Sequence, residues 1–533
     1  MELEAGILGD EQRARFEARL APRSDLACFP DAATFARVHR LGASIPVMLE
    51  CADPGWDPVA LAEAIPCTEP LYLLETPGGP ADLPRHTFLC WEPEREIVLR
   101  RGLLETRDRR GRVRRTRCGD PLAALRALLH AEGAHHVPYS DGFSGGLVGY
   151  VSYDFKNYLE RLPDTVQDDL ETPDLRFGLV RRVVSWDHRE RRLRLRVSWR
   201  CRSTRAATDH RRAHEALQDL LDELQGWWNA AQSKTPASRA QLGGTQASAP
   251  GALRSNLDRS AYDSMLSRAR EFIYAGDIYQ ANLSHRFEAP FSGSGTALYR
   301  RLRAINPSPF AVYMRFPEQE LVSCSPERLV RLQRRRVETR PIAGTRPRGA
   351  TTHHDRALER ELLSNEKERA EHLMIVDMAR NDIGRVCELG SVNVEHFMRV
   401  ERYSHVHHLV SNVAGTLRGD CDGLDLLAAT FPGASVTGVP KIRCMQIIDE
   451  LERVRRGVYT GSAGYLGLDG EVDLNILIRT FLLQGGRASF HVGGGIVADS
   501  DTDAEYRETL SKGRALLEAL DASRNRGARA GGL

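Results

Sequence analysis

Apolar and polar positions along the chain switch between two periods. Alternation with period two marks HTFLCWEP (86–93), REIVLRRG (95–102), RLRLRVSW (192–199) and QANLSHRFEA (280–289) as strands. GGLVGYVSYDF (145–155) and ELVSCSPERLVRLQ (320–333) are near-continuous apolar runs broken by Gly or Pro, which also predicts strands. The three-to-four spacing of helices appears in PLAALRALLHAEG (121–133), RAHEALQDLLDELQGWW (212–228) and DRSAYDSMLSRAREFIYAG (258–276). It returns over one long helix at 355–380, DRALERELLSNEKERAEHLMIVDMAR, and over the last one, DAEYRETLSKGRALLEAL (503–520). Strands and helices mix without strict βαβ alternation, so the fold class expected is α+β.

Residues 229–256 have no periodicity and are rich in Ala, Ser, Gly, Pro and Gln, as in a linker or surface loop. They divide the chain into an N-terminal domain (1–228) and a motif-dense catalytic domain (257–522), followed by a frayed tail (523–533). No internal repeat is visible. A length of 533 residues asks for two domains or one large composite fold.

Charge then narrows the function classes. The chain carries 74 basic and 72 acidic residues, a net charge of +2, which argues against nucleic acid or an anionic membrane as partner. The local basic runs at 107–117 and 188–202 alternate with apolar positions and read as strands with a solvated arginine face. Ten scattered cysteines with no CxxC, no signal peptide and no apolar run of membrane-spanning length point to reduced thiols in a cytoplasm.

Five places carry candidate chemistry. Glu368 and Glu371 share one helix face, and Glu505 and Glu508 repeat the spacing on another. Such pairs are either solvated helix faces, with Glu508 bonded to Lys512 one turn on, or the oxygen ligands of a hard cation, Mg²⁺ first. In SHVHHLVSNV, a strand would turn His405 and His407 to one side and His408 to the other; each is a core residue or a catalytic one, and no zinc spacing is present. FPGASVTGVPK (431–441) imitates a phosphate loop but has Val439 where lysine is required, so Lys441 opens a helix behind a loop that is not a nucleotide site. HVGGGIVADSD (491–501) lets a ligand approach the backbone at its three glycines. Arg479, in NILIRT, is either a structural partner or the receptor of an anionic group.

Six motifs in order resemble the chorismate-utilising enzymes: TRPIAGTRPRG, EKERAEHLMIVDMARNDIGRV, VERYSHVHHLVSNV, FPGASVTGVPKIRCMQIIDELE, GSAGYLGLDGEVDLNILIRT and GGGIVADSDTDAEYRETLSKG. The large subunits of anthranilate synthase and of aminodeoxychorismate synthase are the nearest in pattern, with weaker likeness at LYLLETPGG (71–79) and FSGGLVGYVSYDF. The resemblance implies one composite fold, mixed β-sheets packed face to face with helices outside and an N-terminal regulatory-type subdomain. It implies Mg²⁺ on Glu371 and Glu508, with Glu505 and Glu368 beside them. Chorismate would be held by Arg479, Tyr459, Ser435, Gly494, Gly495, Lys441 and Lys512, and His408 would serve the departing hydroxyl with Thr345 nearby. LLET at 73–76 is similar to the segment that lines the tryptophan site of feedback-inhibited relatives, so tryptophan is a possible effector.

Two residues bear on the reaction. Relatives that add water carry a general-base lysine where this chain has Gln280, so ammonia is the expected nucleophile. Nothing resembles a glutaminase, so ammonia is expected from a separate glutamine amidotransferase subunit in a hetero-oligomer. Where aminodeoxychorismate synthases usually read PIKGT, with a lysine that attacks the ring covalently, this chain has Ala343, the anthranilate pattern. YQANLS, VHHLVS, FPGASVTG and DLNILIRT lean instead to aminodeoxychorismate synthase. The expectation adopted is 4-amino-4-deoxychorismate formation, with anthranilate formation as the alternative and an inactive binding scaffold as the non-enzymatic one.

Overall fold

The computed structural model describes residues 6–7 and 27–528, apart from 41, 81–82, 84, 134–141, 164, 234–252 and 404–405. Two large sheets, of 14 and 12 strands among the described residues, form the molecule. Their strand pairs are antiparallel, as in Gly146–Val151 against Ser462–Gly467 and Gln280–Pro290 against Arg487–Ile496. Both sheets draw on either side of residues 229–256. In the larger one Leu71–Glu75 lies between His86–Trp91 and Phe310–Arg315; in the smaller one Gly146–Val151 lies between Leu175–Val180 and Ser462–Gly467. Tyr72, Val183, Met314 and Leu482 from one sheet meet Val148, Tyr150, Val180 and Tyr465 from the other in a buried apolar layer, so the sheets pack face to face. Helices cover the outside: Pro58–Ala64, Ala206–Ser233 and Gly295–Ile305 on the larger sheet, and Pro121–Ala131, Glu366–Gly384 and Gly423–Thr430 on the smaller one.

Several elements differ from the sequence expectation for local reasons. The single helix expected at 355–380 is two, Thr352–Ser364 and Glu366–Gly384. Asn365 lies between them at φ −70°, ψ 114°, and its side chain accepts from the Glu368 N–H as the cap of the second helix. The run 320–333 splits at Ser325–Pro326–Glu327 into Gln319–Ser325 in one sheet and Arg328–Gln333 in the other. The arginines of Arg192–Arg200 do not form a solvated face: Glu50 stands opposite Arg194 and bonds it at 2.5 Å, and Arg196 is buried against Ser185. The helix of 206–233 enters the expected linker, whose residues 234–252 lie outside the described ones. The last helix continues to Ala528, past the start of the expected tail; 529–533 lie outside the described residues. Among the described residues no helix is long and apolar enough to cross a membrane, and all ten cysteines are free thiols.

Candidate active site

The stretch 339–350 becomes a strand, Ile342–Pro347, on the edge of the smaller sheet against Val406–Thr416. A bulge between Ala343 and Thr345 is made by Gly344 at φ +78°. A Cβ there would stand 2.9 Å from Glu368 Oε2, so glycine lets the glutamate helix close onto the strand. Register sets Thr345 opposite His408, and Thr345 Oγ1 lies 2.9 Å from His408 Nδ1. The Tyr403 ring meets the imidazole edge-on at 5.2 Å. Burial and the nearby Arg479 charge push the His408 pKa down to about 3, so the imidazole is neutral, and its buried Nε2 has no hydrogen-bond partner. His407 points the other way, to Asp355 at 2.9 Å; His405 lies outside the described residues.

The four glutamates converge from two helices. Glu371 is pushed up to about 7, by burial first and then, against the pull of Lys367, by the negative charges of Glu368, Glu508 and Glu505. Burial also raises Glu505, which accepts from Ser500 at 2.7 Å. Glu508 is lowered by Lys512, bonded to it at 2.8 Å. Arg346, from the same strand as Ala343, bonds Glu368 and Glu361, each at 2.9 Å. Cations of this chain therefore already divide the cluster, and its oxygens are not gathered to mutual ligand distance. The one set of three or more such ligand atoms within 4.8 Å of one another among the described residues is His39, Cys201 and Asp209. There, Asp209 is occupied by His39, Trp199 and the N–H groups of Arg202 and Ser203, which ties down the start of a helix.

The glycine strand Arg487–Ile496 runs beside the second glutamate helix. A Cβ on Gly494 would sit 3.4 Å from Glu505 and 3.8 Å from Lys512, whose ammonium donates to the Gly493 carbonyl. A Cβ on Gly495 would fall 2.0 Å from Gln280 Nε2, so the Gln280 amide lies against this glycine. A Cβ on Gly493 would stand 2.8 Å from the Tyr459 hydroxyl, and the Tyr459 ring stacks on His491 at 5.0 Å. Arg479 has φ +52°, a conformation that arginine rarely adopts. Its guanidinium donates to the neutral Asn306 at 3.1 Å and meets no carboxylate at ion-pair distance among the described residues. Burial lowers its pKa. A half-buried cation with one neutral partner is favoured when an anion joins it.

The loop 431–440 closes the site from below. Ser435 donates to Glu327 at 2.7 Å. Glu327 was not singled out by sequence reasoning, although a glutamate wedged after Ser-Pro between two apolar runs is an available signal. It is buried, accepts weakly from the Ile342 N–H at 3.4 Å, feels Arg479, and is pushed up to about 7 by burial. Lys441 does not reach into the open site: its ammonium is bonded to Asp382 at 2.7 Å and to the Thr430 carbonyl at 3.2 Å. Beneath the loop, Arg456 joins Glu452, the Val436 and Asn282 carbonyls and Thr460, locking the loop, a helix and the strand Gln280–Pro290 together.

Residues 70–518 match the family model of chorismate binding enzymes. The chain is 39% identical over 453 residues to the anthranilate synthase component 1 of Aquifex aeolicus, covering 84% of this chain and 89% of that one. It is 40% identical over 408 residues to the aminodeoxychorismate synthase component 1 of Bacillus subtilis, covering 76% and 83%. The crystal structure of anthranilate synthase component I from Streptococcus pneumoniae superposes with a TM-score of 0.69 at 34% identity, over 81% of this chain and 92% of that one. With the glutamate cluster, the unpaired arginine and the glycine strand assembled in one fold, this chain belongs to the chorismate binding enzymes.

Proposed function

We propose that the chain is the large subunit of a chorismate-aminating synthase that takes ammonia from a glutamine amidotransferase. The observation that carries this is Arg479, a half-buried guanidinium with a single neutral side-chain partner, whose charge is felt by His408 and which shares the site with four glutamates. One end of the site receives a carboxylate directly; the other offers oxygen ligands to a divalent cation that can hold a second. That suits a small dicarboxylate such as chorismate. The carboxylate donor set fits Mg²⁺, and the mutual repulsion that raises Glu371 is what a bound dication relieves. Glu371 and Glu508 would hold it with Glu505 and Glu368 beside them, where it would neutralise the ring carboxylate and draw charge from the ring.

The chain's own groups then divide the work. Arg479 and the Tyr459 hydroxyl hold the enolpyruvyl carboxylate, and Gly494 and Gly495 let it lie against backbone. His408 is neutral, so its role is a hydrogen bond from the imidazole rather than acid catalysis by an imidazolium. The acid is Glu327, a carboxyl held near neutrality by burial, which gives its proton to the departing hydroxyl so that it leaves as water. Gln280 cannot deprotonate water, which favours ammonia as nucleophile. Each thiol whose pKa is displaced is displaced upward, chiefly by burial, for example Cys201 to about 11, which disfavours these thiols as nucleophiles. A partner subunit is the source.

The product reading is 4-amino-4-deoxychorismate, supported by YQANLS, VHHLVS, FPGASVTG and DLNILIRT. Ala343, buried on the strand that carries Thr345, favours anthranilate as the second reading, because no amine stands there for covalent attack. The deciding experiment incubates the protein with chorismate, Mg²⁺ and ammonium chloride at alkaline pH and resolves products by chromatography. 4-Amino-4-deoxychorismate upholds the first reading, anthranilate with pyruvate replaces it with the second, and unchanged chorismate removes both. Tryptophan as effector is tested by calorimetry on the same protein; Glu75 of the LLET segment is already engaged by Tyr299 at 2.6 Å and Arg303 at 3.0 Å.

A further inference from the structure

Beside Glu327, against the helix that carries Glu368 and Glu371, lies a cavity of about 20 Å³ lined by Glu327, Thr339, Ile375, Ala379, Asp382, Thr430 and Ser435, among others. That volume is enough for one water, and the lining supplies polar groups to bind it. The hydroxyls of Thr339 and Thr430 donate to the Leu329 and Leu426 carbonyls, which leaves their oxygens free to accept. The charged groups that line the cavity are Glu327, Arg328 and Asp382. Glu327 meets Ser435 and, at a distance, Arg479. Arg328 is committed to Asp473 at 2.9 Å. Asp382 is bonded to Lys441 at 2.7 Å and feels Arg385. The Lys441 and Asp382 side chains keep 14% and 12% of their surface exposed, so this pair touches solvent.

We propose that this cavity holds the relay through which Glu327 recovers its proton: the Lys441–Asp382 pair at the solvent end, one water in the middle, and Glu327 at the reacting end. The inference rests on the reading of Glu327 as the acid. When Glu327 has given its proton to the leaving hydroxyl, it is left as a carboxylate beside Arg479 and Ser435. The cavity water passes it a proton as Asp382 passes one to the water and the Lys441 ammonium passes one to Asp382; bulk water recharges the amine. Each group ends as it began and one solvent proton has been consumed. This matches the proton that the attacking ammonia must shed to solvent. The arrangement gives Lys441 a use that does not require it to touch substrate, and makes it and Asp382 positioning residues for the proton rather than catalytic ones.

Asp382→Asn removes the relay's carboxyl, and Ala379→Val fills the cavity while leaving every carboxyl in place. Both are assayed with chorismate, Mg²⁺ and ammonium chloride in H₂O and D₂O. Slowed reprotonation predicts kcat lower by about tenfold or more, an unchanged KM for chorismate, and a solvent isotope effect on kcat larger than that of the unaltered protein. A loss that appears in KM, or in kcat with an unchanged isotope effect, assigns these residues to packing and overturns the relay. Ala379→Val decides the matter if Asp382→Asn does not fold. Glu327→Gln separates the two levels: full activity there removes the acid reading itself, whereas its inactivity alongside normal Asp382→Asn and Ala379→Val variants removes only the relay.

Discussion

Arg346 bonds Glu368 and Glu361 and lies within electrostatic reach of Glu508, so in the metal-free protein it occupies charge that a dication would need. Both Arg346 and Glu368 are only about four-fifths covered, which limits each bond to about 1 kcal/mol or less. Arg346→Gln should therefore tighten Mg²⁺ binding, measured by calorimetry without substrate, by about two- to fivefold. An unchanged dissociation constant would mean that Arg346 positions the strand and does not compete with the metal. Ala343 poses the complementary question from the next turn of backbone. Ala343→Lys supplies an amine opposite Leu409, on the strand that carries Thr345, and incubation with chorismate should trap a covalent adduct visible by mass spectrometry. Absence of any adduct in a folded, chorismate-binding variant would show that the strand does not aim this side chain at the ring.

At the scale of elements, the site depends on two joints. Asn365 ends one helix and starts the next, and only that break lets Glu368 sit in the first turn over Gly344. Asn365→Ala should lower stability by about 1 kcal/mol in denaturant titration, the usual worth of such a cap, and leave Glu368 less firmly placed. Arg456 is the larger joint. Its pair with Glu452 is buried on both sides, at 1% and 4% exposure, so Arg456→Met leaves a buried carboxylate bonded to Ser284 without its cation. The expected loss is about 3–5 kcal/mol, and a loss below 1 kcal/mol would refute the view that it clamps loop, helix and strand. These joints also show what was legible beforehand. Glu371, Glu508, Arg479 and His408 stood out through motifs that resemble the chorismate-utilising enzymes, while residue type and spacing alone left the glutamate pairs open between a solvated helix face and a cation site. The break at Asn365 could not: the helical period runs on through 365, and capping is decided by one backbone angle. The burial of Arg196 was hidden because its cover comes from other strands, and Glu327 was hidden because a single glutamate among apolar residues has no period.

For the whole molecule, burial of charge at the glutamate cluster makes stability depend on pH and, on the metal reading proposed above, on a cation as well. Glu371 has its folded pKa raised from 4.5 to about 7, so folding favours its protonated form. Its contribution is fully present below the unfolded value and is lost as pH rises through about 7. The raw melting curve does not isolate this. Glu327 and Asp154, each raised to about 7, act with the same sign, but buried neutral histidines such as His285 and His372, both lowered to about 4, act with the opposite one across the same window. A difference between two proteins cancels these shared contributions. In EDTA, Glu371→Gln should melt with the unaltered protein near pH 5 and above it near pH 7.5, because only the unaltered chain then holds a half-buried carboxylate against Glu368, Glu505 and Glu508. Saturating Mg²⁺ should reverse the order at pH 7.5, since the dication binds the carboxylate and not the amide. A gap between the two melting temperatures that is the same at both pH values would refute the raised pKa. A gap that Mg²⁺ leaves unmoved would remove Glu371 from the metal site while leaving its burial intact.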